Sequence, residues 1–144
     1  MCGGDPTGYI YKSTNSGDSW TAIQRLNSET YVVCLYYAGN GVVYAGTNPT
    51  GHIYRSLDYG GTWSFVQRLG TETFVNSIAG IEGVLFATTA NTGGLYRSID
   101  GGTTWSLIQR LGSTTNAETM CKATRAKVII GSDNKVYTCD KIYL

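Results

Sequence analysis

One block of sequence recurs three times along the chain, and that recurrence constrains the fold more than any other feature. The copies read Tyr9-Ile-Tyr-Lys-Ser-Thr-Asn-Ser-Gly-Asp-Ser-Trp20, His52-Ile-Tyr-Arg-Ser-Leu-Asp-Tyr-Gly-Gly-Thr-Trp63 and Gly94-Leu-Tyr-Arg-Ser-Ile-Asp-Gly-Gly-Thr-Thr-Trp105. Each runs on into a short segment that ends Gln-Arg-Leu, at Leu26, Leu69 and Leu111. Trp20 to Trp63 is 43 residues and Trp63 to Trp105 is 42. A fixed period of this length means one supersecondary unit, repeated, that buries its apolar face against its neighbours.

Two more strand-like runs separate successive blocks: 30–37 and 41–46, then 73–79 and 83–88, then 119–124 and 127–131. Four short strands per period is the arithmetic of a β-propeller blade. The expected fold is therefore all-β, built of four-stranded antiparallel blades, with strands A to D counted from the hub outward. The recurring block supplies strand C and the C–D turn, and the Trp-led run supplies strand D. No apolar period of 3.6 residues is sustained, so no helix is expected. The 19 Gly and 11 Tyr, with only two Pro, suit short strands and tight turns.

The chain reads as one domain, 1–144, with repeats of approximately 1–28, 29–70, 71–112 and a partial 113–144. Strand counting gives C-D, A-B-C-D, A-B-C-D and A-B, which is twelve, or about three blades. Residues 2–8 echo the end of a B strand at 45–51, and 136–140 echo the start of a C strand, which the count leaves as a surplus. Three blades cannot close a ring and leave sheet edges open. Two copies would give six, each completing the split blade of the other, so a homodimer is the expected assembly.

The C–D turns carry a motif. Ser56-x-Asp58-x-Gly60-x-Thr62-Trp63 and Ser98-x-Asp100-x-Gly102-x-Thr104-Trp105 match S-x-D-x-G-x-T-W, and Ser13-x-Asn15-x-Gly17-x-Ser19-Trp20 is a copy with Asn in place of Asp. These resemble the Asp-box (BNR) repeats of sialidase-type propellers, xyloglucan-degrading glycosidases, sortilin-type receptors and a photosystem II assembly factor family. The resemblance implies a propeller scaffold and a structural role for the boxes, away from the ligand face. It implies no one activity, because a fold shared by unrelated functions does not name one. The chemistry agrees with a structural role: a turn carboxylate accepts hydrogen bonds from backbone amides, Gly permits positive φ, and each indole offers roughly 200 Å² for burial between blades.

The residues argue for binding more than for catalysis. A sialidase, by the resemblance, needs a cluster of arginines, but Arg25, Arg68 and Arg110 all occupy one repeat position at the end of strand D, and Lys12, Arg55 and Arg97 share another in strand C. They read as solvated or turn-bracing cations. A glycosidase needs two carboxylates across one bond; Glu29, Glu72 and Glu118 instead recur singly in the D–A loops. His52 is the one histidine, which excludes a zinc site of several histidines within one chain, and it reads as a surface strand position. Cys2, Cys34, Cys121 and Cys139 lack CxxC spacing and read as free thiols before metal ligands; disulfides stay open because the count is even. No cofactor or metal is expected.

A formal charge of +1 without a basic run excludes nucleic acid, and no apolar stretch is long enough to span a bilayer. The N-terminus has no signal-peptide pattern, so the cytoplasm is the default location, or a secreted one if a leader was removed. The expected function is a non-enzymatic, self-assembling binding module for a glycan or a protein. Its ligand face would be the D–A and B–C loops, near Tyr36, Tyr37 and Phe74. The alternative is a piece of a sialidase-like or other glycoside hydrolase.

Overall fold

The computed structural model describes residues 2–3, 6–111, 119–124, 127–132 and 135–140. Among these described residues, fourteen strands form four sheets. The first sheet holds β1 (Cys2–Gly3), β2 (Tyr9–Lys12) and β3 (Thr21–Arg25). The second holds β4 (Tyr31–Gly39), β5 (Val42–Asn48), β6 (His52–Ser56) and β7 (Ser64–Arg68). The third holds β8 (Val75–Ile81), β9 (Val84–Thr89), β10 (Gly94–Ser98) and β11 (Ser106–Arg110). The fourth holds β12 (Thr119–Thr124), β13 (Lys127–Ser132) and β14 (Lys135–Asp140). Every sheet is an antiparallel meander in chain order.

The count of twelve strands is corrected by this order. The first sheet is B-C-D and not C-D, because Cys2 and Gly3 pair with Tyr11 and Ile10. The last is A-B-C and not A-B, because β14 pairs with β13 from Ser132↔Lys135 to Lys127↔Asp140. The surplus segment is a strand in full register.

Local sequence sets the turns. Asn40-Gly41 (φ 50° and 83°) and Glu82-Gly83 (φ 46° and 85°) close the A–B hairpins of the second and third sheets, as two consecutive left-handed residues do in a tight hairpin. Each C–D pair carries a register shift at the same place, between Ile10/Tyr11, Ile53/Tyr54 and Leu95/Tyr96. The repeat thus extends to its irregularities.

Successive sheets pack face to face through their first strands, β4 against β8 and β8 against β12. Each junction has its own apolar cluster. Between the first and second sheets lie Ile10, Leu26, Val43, Ala45, Tyr54 and Trp63. Between the second and third, Trp105 meets Tyr44 edge-on at 6.3 Å beside Ile53, Leu69 and Ile78. Between the third and fourth lie Phe86, Leu95, Leu111, Met120 and Ile130. Strand D contributes least, as the outermost strand should: all five residues of β11 are exposed.

Candidate functional site

The sheets have two ends. At one lie the A–B and C–D turns, at the other the D–A and B–C loops.

The Ser-x-Asp turns form dense local networks. Ser56 Oγ donates to Asp58 Oδ1 at 2.7 Å and accepts from Gly60 N–H at 2.8 Å. Thr62 donates to Asp58 from both its N–H and its hydroxyl, each at 2.8 Å. The Trp63 indole N–H closes the turn on Gly60 O at 3.2 Å. Ser98, Asp100, Gly102, Thr104 and Trp105 repeat the pattern. In the first turn Ser13, Gly17 and Trp20 do the same, but the Asn15 amide donates to Ser19 Oγ at 2.9 Å, where an Asp would accept. The Thr62 amide, the Ser56 hydroxyl and the Thr62 hydroxyl hold Asp58 down at about 2. Asp100 is lowered too, chiefly by the Thr104 hydroxyl and amide.

The cations of strand C brace these turns from the preceding sheet. Lys12 Nζ donates to Tyr59 O at 3.1 Å, and Arg55 Nη1 reaches Gly101 O at 3.5 Å and Thr103 Oγ1 at 3.4 Å. The Tyr44 hydroxyl donates to Gly101 O at 2.5 Å. Beside Arg55 a cleft of about 460 Å³ opens between the second and third sheets, with Tyr36, Asn40, Leu57 and Glu82 on its walls. A smaller hollow of about 260 Å³ lies between Leu35, Tyr37, Val43 and Tyr59. The Tyr37 and Tyr59 rings stack at 6.4 Å and 30°. Tyr37, Tyr59 and Leu57 are 56, 60 and 65% exposed.

This placement corrects the expectation that Tyr36 and Tyr37 border the D–A loops. Strand A starts at the D–A loop and runs nine residues to Gly39. At ~3.3 Å per residue, that puts both rings at the A–B turn, roughly 17–20 Å from the D–A loop. Phe74 does lie next to its D–A loop, just before β8.

At that opposite end the polar groups serve the fold. Glu29 and Glu72 are buried. The Thr50 hydroxyl lies 2.7 and 2.6 Å from the two Glu29 oxygens, Tyr54 OH donates at 3.1 Å, and His52 Nδ1 lies 2.7 Å away. Glu72 receives the Thr92 hydroxyl at 2.6 Å, Tyr96 OH at 3.3 Å and Arg110 Nη1 at 3.3 Å. Burial, and then the adjacent glutamate, push the Tyr54 and Tyr96 phenols up to about 12. Arg110 thus braces a buried carboxylate and not a Ser-x-Asp turn. Glu118 lies outside the described residues. Cys34, a free thiol, is pushed up to about 12 by burial; the side chains of Cys2, Cys121 and Cys139 fall outside the described set.

No family model and no curated protein matches the chain. Solved structures do. YCF48 from Cyanidioschyzon merolae superposes with a TM-score of 0.72 at 15% identity, over 94% of this chain and 45% of its own. The propeller in a nidogen/laminin complex gives 0.70 at 17% identity, over 94% and 56%. The four sheets are blades of a β-propeller. YCF48 bound to D1 peptide gives 0.60 at 19% identity, over 92% and 44%. The chain thus spans about half the length of these three structures.

Proposed function

We propose that this chain is a non-enzymatic propeller module that binds a protein partner through the face of its A–B and C–D turns. The carrying observation is the exposed group Tyr37, Leu57 and Tyr59 beside the Arg55 cleft. Aromatic and Arg side chains anchor protein interfaces, and a contiguous exposed apolar patch marks such a surface. The carboxylates of the described loops support the non-enzymatic part of the reading: Glu29 and Glu72 are buried in the scaffold, and Asp58 and Asp100 are held by their own turns. The Ser-x-Asp turns are, in this reading, scaffold. Two of the similar structures are complexes, one with a peptide and one between nidogen and laminin. A glycan at the D–A and B–C loops gains less support, since Glu29, Glu72 and the neighbouring threonines already satisfy one another. The same reading has two copies of the chain joining, each completing a blade of the other.

Tyr59→Gly tests the site cleanly. The third repeat already has Gly101 there, and φ at Tyr59 is 58°, so the change removes the ring and eases the backbone. Panning the protein against phage-displayed random peptides, with a glycan array in parallel, is expected to enrich peptides whose binding falls by about thirtyfold in Tyr59→Gly. Enrichment of glycans alone, or peptides indifferent to Tyr59→Gly, would overturn the reading.

A further inference from the structure

We infer that the outer flank of the second blade holds a small oxyanion site, in which Arg68 grips the carboxylate or phosphate of a ligand whose flat apolar body rests on Phe65. The site lies towards the D–A end of the blade, away from the Arg55 cleft, and stands independently of the partner face proposed above.

In a repeat protein the recurring residues build the scaffold, and three departures from the repeat meet on this flank. His52 stands where the other copies have Tyr9 and Gly94. Phe65 stands opposite Tyr54, where the other copies set Ala22 opposite Tyr11 and Leu107 opposite Tyr96. The third departure is one of contact. Arg25 Nε donates to Thr7 O at 3.0 Å, and Arg110 Nη1 reaches Thr92 O and Glu72 Oε1, both at 3.3 Å. Arg68, at the same repeat position, is exposed and makes no hydrogen bond or ion pair among the described residues.

The cause is steric. Each arginine stands opposite the first residue of strand C, as Gly94↔Arg110 and His52↔Arg68, and opposite residues on paired strands share a face. A Cβ on Gly94 would lie 3.3 Å from Glu72 Oε1, so this position looks straight at the buried carboxylate. Glycine there leaves Arg110 a clear path. In the second blade His52 fills the path and takes the carboxylate itself, Nδ1 lying 2.7 Å from Glu29 Oε1. Arg68 is shut out and keeps its donors. Glu29 is buried and already bound by Thr50, His52 and Tyr54, so it does not compete for the guanidinium.

The strand irregularity brings an aromatic ring to the same place. Phe65 and Arg68 are three residues apart, and in a regular strand they would face opposite sides. The register shift between Ile53 and Tyr54 takes Val66 out of the alternation, so Phe65 opposite Tyr54 shares a face with Arg68 opposite His52. The His52 ring lies edge-on to Phe65 at 4.9 Å and 74°. Phe65 is 50% exposed and the His52 side chain 24%. This blade is complete and has a neighbour on each side: Gln24 of β3 reaches Trp63 O at 3.0 Å, and its own Gln67 reaches Trp105 O at 2.8 Å. A guanidinium fork matches a carboxylate or phosphate with two parallel bonds, and an exposed phenyl ring takes a second ring edge-on or offset. The ligand class is therefore an aryl carboxylate or aryl phosphate.

Proton–nitrogen correlation spectra of the full chain, titrated with phenyl phosphate, benzoate and inorganic phosphate at constant ionic strength, test the site. Phenyl phosphate and benzoate are expected to shift the Arg68 side-chain signal and the amides of His52 and Phe65, with inorganic phosphate binding about fivefold more weakly than phenyl phosphate. Arg68→Ala should leave thermal unfolding unchanged, since that side chain has no partner to lose, and weaken binding about tenfold or more. Phe65→Ala, which copies Ala22, should bring phenyl phosphate down to the level of the inorganic ion. His52→Gly, which copies Gly94, should let Arg68 turn onto Glu29 and weaken binding as Arg68→Ala does. No shift at these residues, or shifts that survive Arg68→Ala, would overturn the site. Equal binding of phenyl and inorganic phosphate would overturn the role of Phe65 and with it the ligand class.

Discussion

Asp58 and Asp100 show how much one carboxylate does in a short turn. Each receives a serine hydroxyl on one side and a threonine amide and hydroxyl on the other, and Asp58 is held at about 2, against about 3.9 for an unperturbed aspartate. A lowered folded-state value stabilises above the unfolded value and ceases to do so as pH falls through the folded one. Thermal stability is therefore expected to hold down to about pH 4 and to decline from there towards pH 2. Asp58→Asn, which copies Asn15, should flatten that decline in unfolding curves recorded across the range. Glu72 belongs to the interior. Glu72→Ala strands the Thr92 hydroxyl and leaves Tyr96 OH with only Leu69 O at 3.4 Å, and is expected to cost about 2–3 kcal/mol in urea unfolding, with Glu72→Gln costing about half that. The sequence displays Glu29 and Glu72 as a recurrence three residues past Leu26 and Leu69, but not their burial, since Thr50 and Tyr54 lie 21 and 25 residues further on. The matching recurrence of Thr50 with Tyr54 and of Thr92 with Tyr96 is the signal that could have joined them.

At the scale of the element, the strands are largely legible because alternation and turn chemistry agree. The runs expected at 30–37 and 83–88 lie within a residue or two of Tyr31–Gly39 and Val84–Thr89, and 119–124 coincides with β12. Direction along a strand was less legible. Tyr36 and Tyr37 lie at the far end of β4 from the D–A loop, because sequence proximity to a loop is not spatial proximity in a nine-residue strand. The loops hold a tighter constraint than composition conveys. Gly51 sits at φ 63°, and its N–H donates to Thr73 O of the next blade at 3.0 Å. A Cβ built on it would lie 2.3 Å from Glu72 O, and one on Gly8, at the same φ, 2.2 Å from Glu29 O. The blocking atoms are backbone, so nothing can rotate away. Gly51→Ala is expected to destabilise by about 2 kcal/mol or more in denaturant unfolding, well beyond the left-handed penalty alone. Gly83→Ala, with positive φ but open space around it, should cost only that penalty of roughly 1 kcal/mol.

For the whole molecule, stability is the sum of blades and the junctions between them, and the junctions are where reading the sequence stopped short. The period announced the blades, and the three tryptophans announced that something packs between them. The glutamine of Gln-Arg-Leu carries no visible signal of this role, because a polar residue on the outermost strand ordinarily faces water. Its reach to a peptide group 38 or 39 residues away depends on how one blade is rotated against the next, and no local pattern encodes that angle. Gln67 donates from Nε2 to Trp105 O at 2.8 Å and accepts from Trp105 N–H at 2.9 Å, and this pair of bonds makes a specific claim about cooperativity. Gln67→Ala removes two hydrogen bonds and leaves the Trp105 amide and carbonyl at a junction whose apolar cluster is intact, so the chain should remain folded but lose about 1–2 kcal/mol. In a solenoid-like stack, loss at one internal junction weakens coupling across it more than it weakens either side. Gln67→Ala is therefore expected to broaden the thermal transition. Native-state hydrogen exchange should show β4–β7 and β8–β11 opening at separate free energies, where the wild type opens them together. An equal fall in protection across both blades, with no broadening, would mean that Gln67 contributes bulk stability and not the coupling that its two bonds to Trp105 imply.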